Sequence, residues 1–324
     1  MLTNAASVAE ATKEKLESFK KHLPLLHVVC NPSMQKRHWT QVSDIVGFTI
    51  RPDQGTDLIK LVDIGINDYI QELEVISTAA TQEGTIEKGL QKIADVWTPA
   101  EFEFKEYKDT GTSVLVGTSV DMVQELLDDH TIKVQGMRGS AYAKPFQRTI
   151  SDLEHFLQST QDIVDMWLKV QSHWLYLQPI MTAPDIARQL PAEGKSFAAV
   201  DNMWRNIMRQ AAAAPACTQV VRIDRLLEQL TKAHVALFCC GLVTDVAATS
   251  GMAASVQGKI TWDFHTISGY TALVLMTLVT ISGLYAIIKD HAGIRNNFHR
   301  ASVPVWCVWM VSWITGVMLG LQKV

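Results

Sequence analysis

Very few side chains in the sequence have the type and spacing that a catalytic site requires. Asp109, Thr110 and Gly111 form an Asp-Thr-Gly sequence, the loop by which aspartic proteases present a catalytic carboxylate. That chemistry needs two carboxylates that share a proton, and this sequence occurs once in the chain. Because apolar and polar residues alternate before it and an apolar run follows it, we predict that the three residues form the turn of a β-hairpin.

The histidines and cysteines show no catalytic spacing in the N-terminal two-thirds. Four histidines stand apart from any serine or cysteine nucleophile, and we expect them to be structural: His38, His130, His155 and His173. The five cysteines are scattered and form no Cys-x-x-Cys pair: Cys30, Cys217, Cys239, Cys240 and Cys307. This pattern predicts neither a disulfide framework nor a zinc site and favours a reducing compartment. We therefore predict no catalytic residue, no metal ligand, no bound cofactor and no enzyme activity.

Asp245 is the candidate functional residue of the C-terminal part. It lies near the middle of the apolar stretch 235–256. A carboxylate at that depth in hydrocarbon is costly unless it is paired, protonated or next to a cavity. Proton-coupled transport or redox chemistry at Asp245 is one interpretation. The alternative is a neutral carboxyl group that binds nearby hydroxyls such as those of Thr277 or Thr315.

Three more histidines of the C-terminal part are secondary candidates. His265 and His299 are of the type that ligates haem, but they begin consecutive apolar stretches and so lie at opposite membrane faces. One haem cannot use both. His291 and His299 share a face, with His234 as a further neighbour, which makes a metal or proton-relay site one interpretation. The simpler interpretation is that these histidines lie in loops and contact solvent.

The distribution of charge divides the chain near residue 235. The whole sequence is 48% hydrophobic and 19% charged with a net charge of -4, which resembles a soluble protein. Charged residues are dense up to His234 and sparse beyond it, so we predict two domains, 1–234 and 235–324. The mild acidity, with no basic stripe, leaves no electrostatic footprint for nucleic acid.

Hydrophobic periodicity predicts helices in the first domain. Apolar residues recur at spacings of three and four over 12–26, 58–80, 121–129, 146–177 and 197–210. Pro191 is expected to interrupt the helix before the last of these. The first residues resemble a charged amphipathic helix rather than a signal peptide, so we expect this domain in the cytosol.

The second domain contains three apolar stretches that are long enough to cross a membrane: 235–256, 264–288 and 301–321. The expected fold is therefore mainly α, a helical-bundle domain with one small β-hairpin followed by a three-helix transmembrane segment. With three crossings, 289–300 and its three basic residues lie on the side of the first domain, against Lys259 and Lys323 opposite. The positive-inside rule then places the first domain in the cytoplasm and Val324 on the other side.

Residues from about 24 to 234 resemble the linker region of dynein heavy chains, most closely the axonemal type. The sequences that carry the resemblance are CNPSMQKRHW (30–39), FEFKEYKDTG (102–111), LLDDH (126–130), MRGS (137–140), WLKVQSHWLYL (167–177), PDIARQLP (184–191) and DNMWRNIM (201–208). The resemblance implies a stack of helical bundles that lies across an ATPase ring and swings as the ring turns over nucleotide. It implies a non-catalytic mechanical or interaction element of a microtubule motor, with dynein complex components as partners in a cilium or axoneme.

The resemblance ends near His234, and the rest of the sequence does not match a motor ring. A phosphate-binding loop has Gly-x-x-x-x-Gly-Lys followed by Ser or Thr. The nearest approach, Gly251 with Gly258, Lys259 and Ile260, has the wrong spacing and no hydroxyl group. We expect this polypeptide alone to bind no nucleotide and to hydrolyse no ATP.

The C-terminal domain is similar to small bacterial HsmA-like membrane proteins. The similarity rests on GLVTD (241–245), FHTISG (264–269), NFHRAS (297–302) and WCVW (306–309), and the first helix of those proteins has no counterpart here. The leading interpretation is a linker-like element tethered to membrane lipid by three helices. Two alternatives stay open: a small membrane transport or redox protein centred on Asp245 with the first domain as an appendage, and a chimeric gene model that joins two unrelated parts.

Overall fold

A computed structural model describes residues 2–50, 57–255, 264–288 and 292–321. These residues form a mainly helical fold with one small antiparallel sheet, as expected for the N-terminal part. The strands are β1 (Phe104–Glu106) and β2 (Ser113–Leu115). The helices are α1 (Leu2–Lys20), α2 (Leu23–Val29), α3 (Lys36–Val46), α4 (Leu58–Asp63), α5 (Ile70–Trp97), α6 (Gly117–Arg138), α7 (Gln147–Met181), α8 (Pro184–Gln189), α9 (Pro191–Ala213), α10 (Cys217–Val220), α11 (Leu226–Ser255), α12 (Phe264–Ile288) and α13 (Ala292–Leu321).

The chain divides into two compact units. The first comprises Met1–Ala100 and Gln124–Gln158, and the second Glu101–Val123 and Ser159–Val324. Both α6 and α7 contribute residues to each unit. The expected domain boundary at 234/235 lies within α11, which continues without a break to Ser255.

The first unit is built around α5, against which α2 and α3 pack. Its core is an apolar cluster of Leu25, Val28, Val42, Ile50, Leu61, Ile66, Leu73 and Ile76. Helix α5 extends well past the predicted end at residue 80, because buried apolar residues continue the spacing of three and four as far as Trp97.

Two predicted helices of the first unit are each broken in two. The helix predicted over 58–80 stops at Asp63, since Gly65 adopts φ +80° and a short 3₁₀ turn at Ile66–Tyr69 precedes α5. The helix predicted over 12–26 is interrupted between Lys20 and Leu23, where Pro24 occupies the first turn of α2. Apolar spacing alone did not reveal either break.

The second unit places the β-hairpin against long helices. Strands β1 and β2 pair with Phe104 opposite Leu115 and Glu106 opposite Ser113. The rings of Phe102 and Phe104 each lie 6.0 Å from that of Trp167 on α7. The predicted break near Pro191 is present, because α8 ends at Gln189 and Pro191 supplies the first residue of α9, where its missing N–H is tolerated.

Two stretches of described helix are long and apolar enough to cross a membrane, where three were expected. They are Leu226–Thr244 in α11 and Thr266–Gly283 in α12, and the apolar stretch Ser302–Ser312 in α13 is shorter. The first begins nine residues earlier than the predicted 235–256, and its N-terminal half packs along α9. Of the three apolar stretches, the one in α11 therefore differs from those in α12 and α13, because part of it is packed against the N-terminal part of the chain.

Candidate functional site

The β-hairpin is fixed to α7 by a side chain that imitates a third strand. The main-chain N–H of Leu115 donates to the amide oxygen of Gln171 at 2.8 Å, and the amide nitrogen of Gln171 donates to the carbonyl of Leu115 at 3.1 Å. The Leu115 side chain is buried, so both of its main-chain groups need partners. Gln171 thereby closes the outer edge of β2.

A second set of contacts fixes the tip of the hairpin to α9. Arg205 donates to the carbonyl of Thr110 and, through Nε, to Asp201 at 2.6 Å. The other oxygen of Asp201 accepts from the indole N–H of Trp174 at 2.8 Å. We call Gln171, Trp174, Asp201 and Arg205 the hairpin anchor. It joins a turn, α7 and α9 through charge-assisted bonds.

The turn held by the hairpin anchor is the one predicted at the Asp-Thr-Gly sequence. Gly111 has φ +67°, which glycine adopts at no steric cost, and Lys108 has φ +47°, which is strained for a residue with a side chain. Asp109 is exposed on this turn. The exposed, solvated position agrees with a turn residue rather than a shared-proton dyad.

In the first unit, Glu83 of α5 collects the polar side chains of α3. Its Oε2 atom accepts from Nε of Arg37 at 2.8 Å and lies 2.9 Å from Nε2 of the buried His38. The other ring nitrogen of His38 accepts the main-chain N–H of Gln35 at 3.1 Å, which fixes the tautomer with the proton on Nε2. His38 therefore has a structural position at the start of α3.

His130 also has a structural partner within the first unit. Its Nδ1 atom accepts the indole N–H of the buried Trp97 at 2.9 Å. Burial lowers the pKa of His130, and the neighbouring Asp129 only partly offsets that effect. The imidazole is accordingly held in the neutral form that the Trp97 bond requires.

His173 and His234 form a histidine pair that sequence reasoning did not predict. The two rings lie 5.1 Å apart in an edge-to-face arrangement, and Nδ1 of His173 lies 2.7 Å from the carbonyl of Lys169. Nδ1 of His234 is buried and finds no hydrogen-bond partner among the described residues. Burial, with contributions from His173 and Lys169, lowers the pKa of His234 to about 4. Among the described residues, the neighbour of His234 is thus His173 on α7, while the suggested neighbours His291 and His299 have side chains outside the described part of the structure.

Three of the four candidate residues of the C-terminal part lie on three different helices, and the fourth is outside the residues that the structure describes. Asp245 is in α11, His265 in the first turn of α12 and His299 in α13, and the side chains of all three are outside the described part of the structure. His291 is outside the described residues altogether. Among the residues that are described, no group of three His, Cys, Asp or Glu side chains is placed to hold a metal ion.

The hairpin anchor and the Glu83 contacts were not predicted from the sequence. Gln171, Asp201, Arg205 and Glu83 are ordinary polar residues of amphipathic helices, and their partners are far away along the chain. One signal was present: Trp167 and Trp174 are seven residues apart on one face of α7, so a buried indole N–H needed a partner.

The chain is similar to axonemal dynein heavy chains over most of its length. Residues 2–240 match the family described as dynein heavy chain, N-terminal region 2. Dynein axonemal heavy chain 3 of Mus musculus is 42% identical over 230 residues, which cover 71% of this chain and 6% of that protein. Dynein axonemal heavy chain 12 of Homo sapiens is 40% identical over 226 residues, 70% of this chain and 7% of that protein. For dynein axonemal heavy chain 1 of Rattus norvegicus the identity is 34% over 223 residues, 69% of this chain and 5% of that protein. The chain therefore spans a small fraction of the length of these relatives.

Proposed function

The chain belongs to the dynein heavy chain N-terminal region 2 family, and from this we propose that residues 2–240 act as a linker-type mechanical element of an axonemal dynein. The matched region is a linker, which is itself non-catalytic. Its work would be to transmit force and to contact other parts of the motor. The matched region extends beyond the 24–234 expected from the motifs and includes α1 and the first half of α11.

The observation that carries this proposal is that the hairpin, α7 and α9 are held together by both aromatic packing and hydrogen bonds. Trp167, Trp174 and Trp204 are fully buried, and the rings of Trp174 and Trp204 stack at 5.9 Å. The hairpin anchor adds polar bonds at the edge of this aromatic core. A close-packed interior has low compressibility and transmits strain, which is what a lever requires.

A chimeric motor tests the proposal. Residues 2–240 would replace the matching segment of Mus musculus dynein axonemal heavy chain 3, and microtubule gliding and ATP turnover would be measured. We expect gliding close to that of the parent motor, because the substituted segment supplies an equivalent lever. A matched chimera with Gln171→Ala and Arg205→Ala should glide more slowly at similar ATP turnover. A folded chimera that hydrolyses ATP without movement would contradict the proposal.

The partners and location follow from the same proposal. We assign dynein complex components as partners and the cilium or axoneme as the location, with the linker on the cytoplasmic side. We also propose that this chain alone binds neither nucleotide nor nucleic acid. Co-sedimentation of the chain with purified axonemal dynein, with and without ATP, would test the first of these assignments.

For the residues after 240 we propose attachment to a membrane, with the domain boundary near residue 240 rather than at 234/235. The support is the stretch Thr266–Gly283, which is long and apolar enough to cross, and the end of the family match at residue 240. The similarity to HsmA-like proteins belongs to this proposal. Alkaline carbonate extraction of the full chain tests it, since a chain released into the supernatant is not an integral membrane protein.

The two alternatives remain predictions with tests of their own. A transport or redox protein centred on Asp245 requires that Asp245→Asn abolish activity while removal of 1–234 leaves it intact. A chimeric gene model requires that no single transcript reads through the codons from Arg225 to Thr249.

A further inference from the structure

Helices α12 and α13 pack along each other with small and hydroxyl-bearing side chains between them. Ala272, Thr280 and Ser312 are buried, and a Cβ atom placed on Gly269 would lie 3.3 Å from Oγ of Ser312. Several large apolar side chains of the pair are exposed, among them Val274, Leu278, Ile281, Trp306, Val311 and Ile314, while others such as Leu273, Met276 and Trp309 are half-buried. Helices in lipid associate through small residues that let the backbones approach, whereas helices in water bury their large apolar residues.

The linker region of the same chain shows the opposite arrangement. There the large side chains of Trp174, Trp204 and Leu230 are fully buried, and the charged Glu228 and Lys232 form a 2.7 Å ion pair on the outside. Leu278 in α12 is 57% exposed and Trp306 in α13 is 54% exposed. The reversal indicates that the surroundings of α12 and α13 are apolar.

Three hydroxyl groups of α12 form hydrogen bonds within the helix itself. The hydroxyl groups of Thr271, Thr277 and Thr280 donate to the carbonyls of Ile267, Leu273 and Met276 at 2.7 to 2.8 Å. A membrane interior offers no water to unpaired hydroxyl groups, so such internal bonds are required there. The 25 residues of α12 span about 37 Å, enough for the roughly 30 Å of hydrocarbon.

Helix α11 does not meet the same requirements. Leu226, Leu230, Ala233, Leu237 and Cys240 form one buried face of its N-terminal half, which packs along α9. Moving this half into lipid would expose the linker core to water. The remainder, 241–255, spans only about 22 Å and is too short to cross, whereas the part of α13 without charged residues, 301–321, spans about 31 Å.

We propose that the bilayer is crossed twice, by α12 and α13 as one hairpin, while α11 stays with the linker. This inference rests on the proposed membrane attachment and adds the number of crossings and the surface that contacts lipid. The end of α12 and the start of α13 then lie on one side of the bilayer, and the end of α13 lies on the same side as the linker. The positive-inside rule does not oppose this strongly, because the basic residues of 289–300 outnumber Lys259 and Lys323 by one.

Glycosylation mapping of the full chain in microsomes tests the two crossings. The sequence has no usable acceptor, since Asn31 and Ser33 flank Pro32, so acceptor-bearing inserts can be placed before α1, between residues 289 and 291, and after Val324. The inference expects the first and third inserts to behave alike and the second to behave oppositely. It is overturned if the first and second behave alike and the third differs, which would indicate three crossings. It is also overturned if no insert is modified while the chain resists carbonate extraction. If carbonate releases the chain, the proposed membrane attachment fails instead.

Thiol labelling of the unmodified chain gives an independent test of the lipid-facing surface. Cys307 of α13 and Cys30 of the linker are both exposed side chains. In phosphatidylcholine vesicles, a membrane-impermeant charged maleimide should label Cys30 and leave Cys307 unlabelled until detergent is added. Labelling of Cys307 at the rate of Cys30 in intact vesicles would overturn the inference, because it would place α13 in water.

Discussion

Gln171 binds both main-chain groups of Leu115, its amide oxygen accepting at 2.8 Å and its amide nitrogen donating at 3.1 Å. One side chain thus takes the place of a neighbouring strand for a hairpin of only three residues a side. An isolated two-stranded hairpin is marginally stable in water. The position of this hairpin on the linker therefore depends on α7 and α9 more than on its own ladder.

The first prediction concerns this pair. Gln171→Ala leaves the N–H and C=O of Leu115 without partners, and we expect it to lower the free energy of unfolding by about 1 to 3 kcal/mol. Gln171→Glu should not restore it, because a carboxylate accepts the N–H but repels the carbonyl. Urea unfolding of the full chain in detergent micelles measures both. The matched control is Gln147→Ala, at an exposed position of the same helix, which should change stability by less than about 0.5 kcal/mol. Equal losses for Gln147 and Gln171 would contradict this role.

The second prediction compares two stacked tryptophans. Trp174 donates its indole N–H to Asp201, whereas the buried indole N–H of Trp204 finds no partner among the described residues. Both substitutions by phenylalanine remove similar volume, so we expect Trp174→Phe to cost about 1 to 2 kcal/mol more than Trp204→Phe. The difference should vanish when both are made in an Asp201→Ala background, which a double-mutant cycle by urea unfolding would reveal. If Trp204→Phe destabilises the chain more than Trp174→Phe does, then ring packing contributes more to stability than the hydrogen bond to Asp201.

The third prediction separates charge from hydrogen bonding at Glu83. Glu83→Gln keeps an acceptor for the Nε2–H of the buried His38, whereas Glu83→Ala leaves that group unsatisfied. We expect Glu83→Ala to destabilise by about 1 to 3 kcal/mol and Glu83→Gln by less. Glu74→Ala, at an exposed position of the same helix, is the control. The interpretation fails if the glutamine variant is as unstable as the alanine variant, since the ion pair with Arg37 would then dominate.

The parts of the fold that were predictable are those determined locally. The turn at Gly111 and the length of α7 follow from residue types and apolar spacing within each segment. The break at Gly65 was missed because the apolar spacing continues across it, and only the backbone shows the positive φ. The predicted stretch 235–256 differs in its bounds from Leu226–Thr244 in the structure, because apolar spacing does not tell a helix that packs on α9 from one that packs in a membrane. The hairpin anchor depends on residues far apart in sequence, which no local pattern reveals.

The fourth prediction is an acid-sensitive contribution from His234. Its pKa in the folded chain is lowered to about 4, below the ordinary value of 6.5, chiefly by burial. A lowered histidine pKa means that folding binds fewer protons, so this stability is present above pH 6.5 and is lost as the pH falls towards 4. His234→Leu removes the titrating group together with a ring nitrogen that has no described partner. Between pH 7 and pH 4.5, the free energy of unfolding of this variant should therefore fall by about 1 to 3 kcal/mol less than that of the parent chain. Urea unfolding of both chains at a series of pH values measures the difference. Parallel pH profiles for the parent and His234→Leu would refute the prediction.

The last prediction tests the pairing of α12 with α13 directly. Because a Cβ atom on Gly269 would lie 3.3 Å from Oγ of Ser312, a sulfur atom in place of that oxygen would lie next to the side chain of a cysteine at 269, which brings the two thiols close enough to pair. We expect Gly269→Cys with Ser312→Cys to form the cross-link on mild oxidation of the membrane-bound chain, as found by mass spectrometry of the linked peptides. Gly269→Cys with Val311→Cys is the control, because Val311 is 48% exposed and lies on the outer surface of the pair. The chain's own Cys307 is also exposed on that surface, so it should not compete for Gly269→Cys within one molecule. Cross-linking to residue 311 as efficient as to residue 312 would mean that the two helices rotate freely against each other, and the small-residue contact would then not be what holds the hairpin together.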